Sequence, residues 1–543
     1  MILPHSDNLN SNEIRNDRLR IWMALGLVLL ISALVRYWDI NARSLWFDEA
    51  YEFWVSRSNI VDLWKATATS YQPPLFNFLL HFWMKVSTSE VWLRTLSVFF
   101  SLVGIAGVFI TANKFFGVKA AVMAGLVLAV MPADVRYAQE LGEYALLFSI
   151  CSWLIYFHLY VIEKKSWRGW GICLILWLSG IYTHYGAVIV IFSLSLINLI
   201  YSLYRRDFQN IIKQVIVSLV FFLLALPLGS LLFEQMSRQN SSTIIFGNLW
   251  TELKVFFQSP GKTFAFPILG FPWTIISISW INALLIIIFF LMVNLLFKGP
   301  KKQRILWYFF LASYFTYYIL VRLGFYAYGG FGFRYMIVLL PIFVLIMVGV
   351  LYESFTGQFK VPIIALLLIG ALLGISIYSL PNRSLSEKTR GKMAWPEIED
   401  MRNVVDTLSK GNKHFPVYVY YGAVPAYSYY SRDTQFELEA DDLPSTWIST
   451  CWSEKNSFSF CTPGRSHFGL WNRGLTEGEL ALSIMGVFKE PPSNFYLVFS
   501  HTYSNEDTLS IESLEKYAGY ELVSKDSWSN ASLYLVTKKN QIP

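Results

Sequence analysis

Charged residues are scarce in this chain, and the shortage limits what kind of protein it can be. Aspartate, glutamate, lysine and arginine make up 15% of the sequence, against 55% for hydrophobic residues. An ordinary globular domain has about 25% charged residues, so the composition argues against a wholly water-soluble protein. The formal charge of +7 does not indicate nucleic-acid binding, because the surplus of positive charge lies in the apolar part of the chain.

Cysteine is also rare, with four residues in the whole sequence. Their spacing matches no metal-binding pattern. Cys151 and Cys173 lie within apolar runs, where a cysteine usually behaves as a small core residue. Cys451 and Cys461 lie in a polar tail, and they predict a local disulfide if that tail faces an oxidising compartment.

Long apolar runs take the place of the missing charge. A bilayer is crossed by about 20 apolar residues in a helix, and runs of this kind recur along the chain. The first run follows a polar segment and has no signal-peptide cleavage site after it, so we expect a retained signal anchor. We predict about eleven transmembrane helices, roughly at 21–38, 92–112, 118–133, 143–162, 168–183, 185–203, 213–232, 273–297, 305–322, 334–352 and 361–379.

Charge in the loops predicts the orientation of these spans. Lysine and arginine gather in the loops on the N-terminal side, whereas the opposite loops hold most of the acids of the membrane half, including Asp48, Glu49, Asp134 and Glu140. By the positive-inside rule, the N-terminus is cytoplasmic and the tail is outside. The predicted domains are a cytoplasmic N-terminus at 1–20, a transmembrane domain at 21–380 and a soluble extracytoplasmic domain at 381–543.

Two outer segments carry further structure. Residues 39–91 contain "SLWFDEAYEF" and then "LWKATATSYQPPLFNFLLHFWMKV", which predict short amphipathic helices at the membrane interface. The tail contains strand-like runs, "PVYVYYGAV", "FYLVFS" and "SLYLVTKK", and the helical pattern "EIEDMRNVVDTLSK". The predicted fold is therefore an all-α polytopic membrane domain, with interfacial helices in its first outer loop and a small C-terminal α/β or α+β domain.

Polar residues of several kinds gather on the predicted outer side. Ionisable groups near a membrane are costly and are usually functional or paired, so their convergence predicts a cleft between the outer helix ends. Its candidate residues are Asp48, Glu49, Gln72, Glu140, His184 and Arg334.

Purely structural roles are open for each of these residues. Asp48 could cap a helix, with Glu49 in the first turn, where the helix dipole favours acids. Glu140 could belong to a similar first-turn cluster. His184 could belong to an aromatic belt, and Arg334 could be an interfacial anchor.

Five motifs, taken in order, resemble one family. "SLWFDEAYEF", "SYQPPLFNFLLHFWMKVSTSEVWLRTLSVFFSLVG", "YAQELGEYALL", "YTHYGA" and "FRYMIVLLP" are similar to segments of the protein O-mannosyltransferase-like branch of the C-type glycosyltransferases, which includes the lipid A aminoarabinose transferase. The resemblance covers about residues 36 to 345. It departs from the family at Gly142, where an arginine is frequent, and at Gln72, where the aminoarabinose transferases have a lysine.

The resemblance implies transfer of a sugar from a polyprenyl-phosphate donor to a hydroxyl of a protein, lipid or glycan acceptor, with inversion. Such an enzyme needs no nucleic acid and fits a bacterial inner membrane. Asp48 is the expected general base, and a divalent cation held by Asp48 and Glu140 is the one cofactor considered. The implied roles are catalysis for Asp48, Glu49 and Glu140, donor-phosphate binding for Arg334, Tyr335, His184 and Arg136, and substrate binding for Gln72, Tyr137 and Tyr144.

Other functions stay open on the sequence alone. A flippase or transporter of lipid-linked sugars would also have many helices, although transporters usually place charges near the bilayer midplane in repeated halves. A lipid-linked oligosaccharide ligase is the nearest alternative among enzymes. A non-catalytic scaffold that presents the tail would leave the acidic motifs of the membrane half unexplained.

Overall fold

The computed structural model describes residues 11–67, 72–238, 304–323, 336–356, 399–432, 466–469, 474–488, 490–502 and 505–539. In chain order, the first twelve helices are α1 Ser11–Tyr37, α2 Phe47–Arg57, α3 Ile60–Thr67, α4 Leu75–Trp83, α5 Glu90–Phe116, α6 Val118–Val130, α7 Pro132–Ala138, α8 Tyr144–Lys164, α9 Trp167–Thr183, α10 Ala187–Tyr204, α11 Phe208–Ala225 and α12 Pro227–Arg238. The later helices are α13 Arg304–Arg322, α14 Leu340–Thr356, α15 Met401–Lys410, α16 Val424–Ser431, α17 Glu477–Met485 and α18 Glu506–Ser513. The strands are β1 Val417–Val419, β2 Ser466–Phe468, β3 Asn494–Ser500, β4 Tyr520–Trp528 and β5 Ala531–Lys538.

The chain forms two compact units that do not follow the sequence in one piece. The first, which we name the helical unit, consists of Met1–Ile40 and Arg94–Pro381. The second, which we name the mixed unit, consists of Asn41–Leu93 and Asn382–Pro543. The first long loop thus belongs with the C-terminal part of the chain. The domain limits expected near residues 20 and 380 stay predictions.

Several helices have the length and composition of membrane spans. Among the described residues, six helices are long and apolar enough to cross a bilayer, and a bent pair of helices makes a seventh candidate. The polytopic membrane fold is therefore confirmed, while the number eleven stays a prediction. Helices also form at the predicted spans 168–183 and 334–352, but they are shorter, and the predicted spans 273–297 and 361–379 lie outside the described residues.

The bent pair is α6 and α7, which meet at 62°. Pro132 has no N–H to donate to the carbonyl of Leu128, so a continuous helix cannot form there. The guanidinium of Arg36, on α1, donates instead to the carbonyl oxygens of Leu128 at 3.2 Å and Ala129 at 3.3 Å. The break in the helix is therefore satisfied inside the protein, as a membrane interior requires.

The same arginine forms a buried ion pair. Its terminal nitrogen lies 2.6 Å from a carboxylate oxygen of Asp134, and Ser101 bridges the two side chains with bonds of 2.8 and 3.0 Å. Neither Arg36 nor Asp134 is exposed to solvent. Asp134 lies in helix α7 and is buried against Arg36, rather than in an exposed loop, and its location on the outer side stays a prediction.

In the described part of the mixed unit, five strands form a sheet in the order β2-β1-β3-β5-β4. Strand β1 pairs in parallel with β2 and β3, whereas β3–β5 and β5–β4 are antiparallel. Strand β1 lies within the first strand-like run of the sequence, and β3 and β5 each begin one residue before the other two runs. The predicted helix corresponds to α15, whose buried side chains are Met401, Val404, Val405 and Leu408. An independently folded extracytoplasmic domain stays a prediction, because residues 41–93 share this unit.

Helices α2, α3 and α4 form within the first long loop, and polar contacts attach that loop to the tail. At the end of the loop, Glu90 accepts a bond of 2.6 Å from Arg402, which also donates to the carbonyl of Asn41 at 3.2 Å. Burial alone would lower the pKa of Arg402, but its hydrogen bond and ion pair with Glu90 raise that pKa above the usual value. On α2, the indole of Trp54 donates to the carbonyl of Pro425 at 3.1 Å. The location of these helices at a membrane interface stays a prediction.

The Arg36–Asp134 pair gives a stability prediction. Replacing Arg36 by methionine (Arg36→Met) leaves a buried carboxylate without its cation, and we expect it to lower the free energy of unfolding by about 3–5 kcal/mol. Thermal unfolding of the purified protein in detergent measures the effect. Arg20→Met is the matched control on the same helix, because the Arg20 side chain is 79% exposed and its pair with Asp17 is long, at 3.6 Å. Equal transitions for the two variants would contradict the structural role of Arg36.

Candidate active site

The acidic motif of the first loop begins helix α2. Trp46 is extended, with φ −89° and ψ −179°, and the helix starts at Phe47, so Asp48 and Glu49 lie in the first turn. Acids are favoured there by the helix dipole. The two acids differ in environment: Asp48 is partly exposed, whereas Glu49 is fully buried and accepts a long bond of 3.4 Å from the backbone N–H of Trp46.

A third acid, from the C-terminal part of the chain, holds the start of this helix. Glu399 is 2% exposed, and one of its oxygens accepts from the backbone N–H of Phe47 at 3.1 Å and from the hydroxyl of Ser500 at 2.8 Å. Its other oxygen lies 2.7 Å from Nδ1 of His501. A carboxylate accepts and does not donate, so Nδ1 of His501 carries the proton in this bond.

His501 also contacts the motif directly. Its ring stacks on Phe47 with 4.6 Å between centroids and 19° between planes. The backbone of His501 has φ 54°, which lies in the left-handed region that residues other than glycine adopt rarely. The sequence patterns did not single out Glu399 or His501: Glu399 is one of three acids at the start of the predicted helix at 397–410, and His501 belongs to no recognisable motif.

Five predicted site residues come together in the helical unit. Arg136, at the end of α7, pairs with Glu140 at 3.6 Å, and its guanidinium lies 5.5 Å from the ring of Tyr137. The ring of Tyr137 is 4.9 Å from that of Tyr144, which is 6.0 Å from that of His184. All five side chains are buried. We name this group the aromatic–charge cluster.

Hydrogen bonds fix the state of one member of the cluster. The backbone N–H of Gly186 donates to Nδ1 of His184 at 2.9 Å. Because Nδ1 accepts, the proton of a neutral ring lies on Nε2. His184 is therefore a neutral donor through Nε2 in this geometry, suited to a hydrogen bond rather than to a full positive charge.

The cluster is tied to the first helix by Gln139. The side-chain amide of Gln139 donates to the carbonyl oxygens of Arg36 at 2.9 Å and Trp38 at 2.8 Å. The segment between α7 and α8 is thus fixed against the end of α1. Arg36 itself was missed by the sequence analysis, although a lone arginine within an apolar run is a usable signal of a functional or paired charge.

Only some of the remaining predicted residues lie among the residues that the structure describes. Gln72 is partly exposed and precedes Pro73, shortly before α4. Cys151 and Cys173 are buried free thiols, as expected. Among the described residues no group of three or more histidine, cysteine, aspartate or glutamate side chains could hold a metal ion, and the cation at Asp48 and Glu140 stays a prediction. Four residues with predicted roles lie outside the described residues: Arg334, Tyr335, Cys451 and Cys461.

The chain is similar to known proteins both in sequence pattern and in fold. Residues 71–230 match the family model of dolichyl-phosphate-mannose-protein mannosyltransferases. The crystal structure of ArnT from Cupriavidus metallidurans in the apo state has a TM-score of 0.54 at 12% identity, with 95% of this chain and 97% of that chain covered. The chain has the fold of ArnT. The ArnT structure bound to undecaprenyl phosphate matches with a TM-score of 0.50 at 13% identity, covering 94% of this chain and 97% of that chain.

The predicted resemblance of this chain to the C-type glycosyltransferases is thus confirmed, although no curated protein sequence matches the chain. The family match spans Gln72 and the whole aromatic–charge cluster. It begins after Asp48 and ends before Arg334, so the assignments of those two residues rest on their motifs.

Glu399 gives the prediction of this subsection. Glu399→Ala removes the acceptor of three donors, of which the Ser500 hydroxyl is buried, and should lower the free energy of unfolding by about 1–3 kcal/mol. Hydrogen exchange of the Phe47 amide should become faster, because its acceptor is gone. Glu477→Ala is the control: this glutamate is 45% exposed in its pair with Lys516, and such pairs contribute about 0–1 kcal/mol. Unchanged exchange at Phe47 would show that Glu399 does not hold the start of α2.

Proposed function

We propose that the chain is a membrane glycosyltransferase that moves a sugar from a polyprenyl-phosphate donor to an acceptor hydroxyl. The family match over residues 71–230 supports the reaction class. The fold shared with ArnT, which has been crystallised with undecaprenyl phosphate, supports a lipid-phosphate donor. The acceptor is a protein, lipid or glycan hydroxyl.

The different environments of Asp48 and Glu49 carry the proposal for the catalytic base. Glu49 is buried and directed back toward Trp46, whereas Asp48 stays partly exposed on the first turn of the same helix. A general base must reach the proton that it removes, so Asp48 is the better candidate. Glu49 then has a supporting role in shaping the start of α2.

The proposed step forms one bond to the anomeric carbon and breaks another. The acceptor oxygen attacks the anomeric carbon, its proton passes to the Asp48 carboxylate, and the bond from the anomeric carbon to the phosphate oxygen breaks. The electron pair of that bond leaves with the polyprenyl phosphate. Attack from the face opposite the phosphate inverts the configuration of the anomeric carbon.

The leaving phosphate requires donors and positive charge rather than an acid. Arg334 and Tyr335 are proposed to bind it, with Arg136 and with the Nε2 proton of His184. In the aromatic–charge cluster, Arg136 already faces Glu140 at 3.6 Å, which moderates its charge. Glu140 would orient the sugar or the acceptor, and Gln72, Tyr137 and Tyr144 would contact substrate.

The location of the reaction is part of the proposal. The distribution of lysine and arginine favours a cytoplasmic N-terminus, with Asp48 and the C-terminal residues on the outer side. In a bacterial inner membrane that side is the periplasm, where the prenyl chain of the donor would stay in the bilayer.

The base assignment predicts a large loss of transfer from a small change. Asp48→Asn keeps the size of the side chain but removes its basicity, and we expect a fall in rate of about 10²–10⁴-fold. Transfer and donor breakdown are measured with purified protein and a polyprenyl-phosphate monosaccharide. Asp62→Asn is the matched control, because Asp62 is likewise a first-turn acid of a short helix, α3, in the mixed unit.

Glu49→Gln separates the two acids, since glutamine keeps an oxygen for the Trp46 N–H and should lose much less activity than Asp48→Asn. An active Asp48→Asn protein would remove the base assignment. Donor that is moved across a membrane but never broken down would favour a flippase instead.

The phosphate assignment is tested separately at Arg334. Arg334→Ala removes a proposed bidentate donor to the leaving phosphate, so use of the polyprenyl-phosphate donor should fall while the amount of folded protein in the membrane is kept. The comparison is the rate against donor concentration for wild type and variant. Normal donor use by Arg334→Ala would exclude this role, and loss of the protein itself would indicate an anchoring role.

A further inference from the structure

A cavity of about 350 Å³ lies within the mixed unit, away from the acidic motif. It opens beside the end of α2 and the segment after α4, next to the last turn of α16. Ligand-binding cavities have about 300–1,000 Å³, so a small organic group fits. Its polar lining consists of Arg57, His81, Lys85, Arg432, Ser56 and Thr88.

The cavity is a separate place from the proposed base. Asp48 lies in the first turn of α2 and Arg57 is its last residue, so the two are about 13 Å apart along an axis that rises 1.5 Å per residue. No carboxylate lines the cavity among the described residues, whereas three of its side chains are lysine or arginine. This imbalance of charge favours an anion.

Arg432 is held in a fixed orientation. Its guanidinium lies 3.8 Å from the ring of Tyr429 and 5.7 Å from that of Phe53, and it donates to the Tyr429 carbonyl. Tyr429 in turn donates to the carbonyl of Thr88 at 2.8 Å and packs edge-on against Phe53 at 4.9 Å. A planar cation fixed in this way loses little freedom when it binds a ligand.

Arg57 and Lys85 present exposed cations to the same cavity. Arg57 lies over the ring of Trp54 at 5.3 Å, and Lys85 lies over that of Phe82 at 4.7 Å. Within the part of the chain that the structure describes, neither forms an ion pair with an acid. Their charge is therefore available to an anion from outside the protein.

One neutral donor, the hydroxyl of Ser56, completes the lining. Nδ1 of His81 donates to the carbonyl of Ser56 at 2.9 Å, so Nε2 of the neutral ring has no proton and His81 is not one of the donors. The hydroxyl of Ser56 accepts from Asn77 at 3.2 Å, so its own proton can be donated elsewhere. Asn77 is itself oriented by Glu52 at 2.5 Å. Phosphate oxygens in proteins are commonly bound by arginine and lysine, together with hydroxyl donors.

We propose that this cavity binds the phosphate of a phosphomonoester, either on a lipid headgroup or on a free small molecule. Arg432 and Arg57 would contact its oxygens, Lys85 would supply a further charge, and Ser56 would donate a hydrogen bond. The proposal does not depend on Asp48 or on sugar transfer, because none of the cavity residues belongs to the proposed catalytic machinery.

Binding of sn-glycerol 3-phosphate to the full-length protein in detergent, measured by calorimetry, tests the site. The double variant Arg57→Gln/Lys85→Gln removes two charged donors and should weaken binding at least tenfold. Lys65→Gln is the control, because Lys65 is an exposed base of the mixed unit that does not line the cavity. Asp48→Asn should bind the phosphate normally, which separates this site from the catalytic proposal.

The two sources of phosphate are distinguished with nanodiscs. Binding of soluble glycerol 3-phosphate supports a free ligand, whereas binding only to nanodiscs that contain phosphatidic acid, and not to pure phosphatidylcholine, supports a lipid headgroup. In either case, the double variant must fail to bind the phosphate. Absence of both, or equal binding by wild type and variant, overturns the proposal. If the double variant unfolds, the single Lys85→Gln at an exposed position serves in its place.

Discussion

The buried pair of Arg36 and Asp134 is the constraint on which the helical unit depends. Pro132 breaks the helix, and it removes the N–H that would otherwise donate to the carbonyl of Leu128. The Leu128 carbonyl keeps a long bond of 3.3 Å from the N–H of Met131. The guanidinium of Arg36 donates to the carbonyls of Leu128 and Ala129 and also to the carboxylate of Asp134, beside the break. A buried pair of this kind adds little net stability compared with apolar packing. Its value here is geometric, since it sets the 62° turn from which the next segment departs.

The 62° turn between α6 and α7 positions the aromatic–charge cluster. Helix α7 is only seven residues long, so its direction is inherited from the break rather than from its own packing. Arg136 lies near its end, and Glu140 follows within four residues, which is the spacing that brings side chains of a helical turn together. Gln139 then anchors the same segment to the end of α1. The buried charges of this segment are therefore paired or fixed at each step.

Much of the helical unit could be predicted from composition, because apolar runs of bilayer length leave few alternatives. The cluster could also be predicted in part: Arg136, Glu140 and Tyr144 lie close in sequence, and only His184 had to be brought from another helix. The burial of Asp134 in a short helix could not be predicted, because charge counting treats every acid between apolar runs as a loop residue and cannot detect a partner such as Arg36. The contacts of Glu399 with Phe47 join residues more than 350 positions apart, and no local pattern encodes such a pair.

The grouping of the first loop with the C-terminal residues has a consequence for biosynthesis. Helix α2 leaves the ribosome early, whereas Glu399, Ser500 and His501, which complete its start, follow after about 350 to 450 further residues. At roughly 5–20 residues per second, the acidic motif would wait for some tens of seconds before its partners exist. During that time the loop lacks the acceptor of the Phe47 amide and the packing of α16. The motif is thus completed only once nearly the whole chain has been made, so a truncated product would carry Asp48 without the structure that holds it.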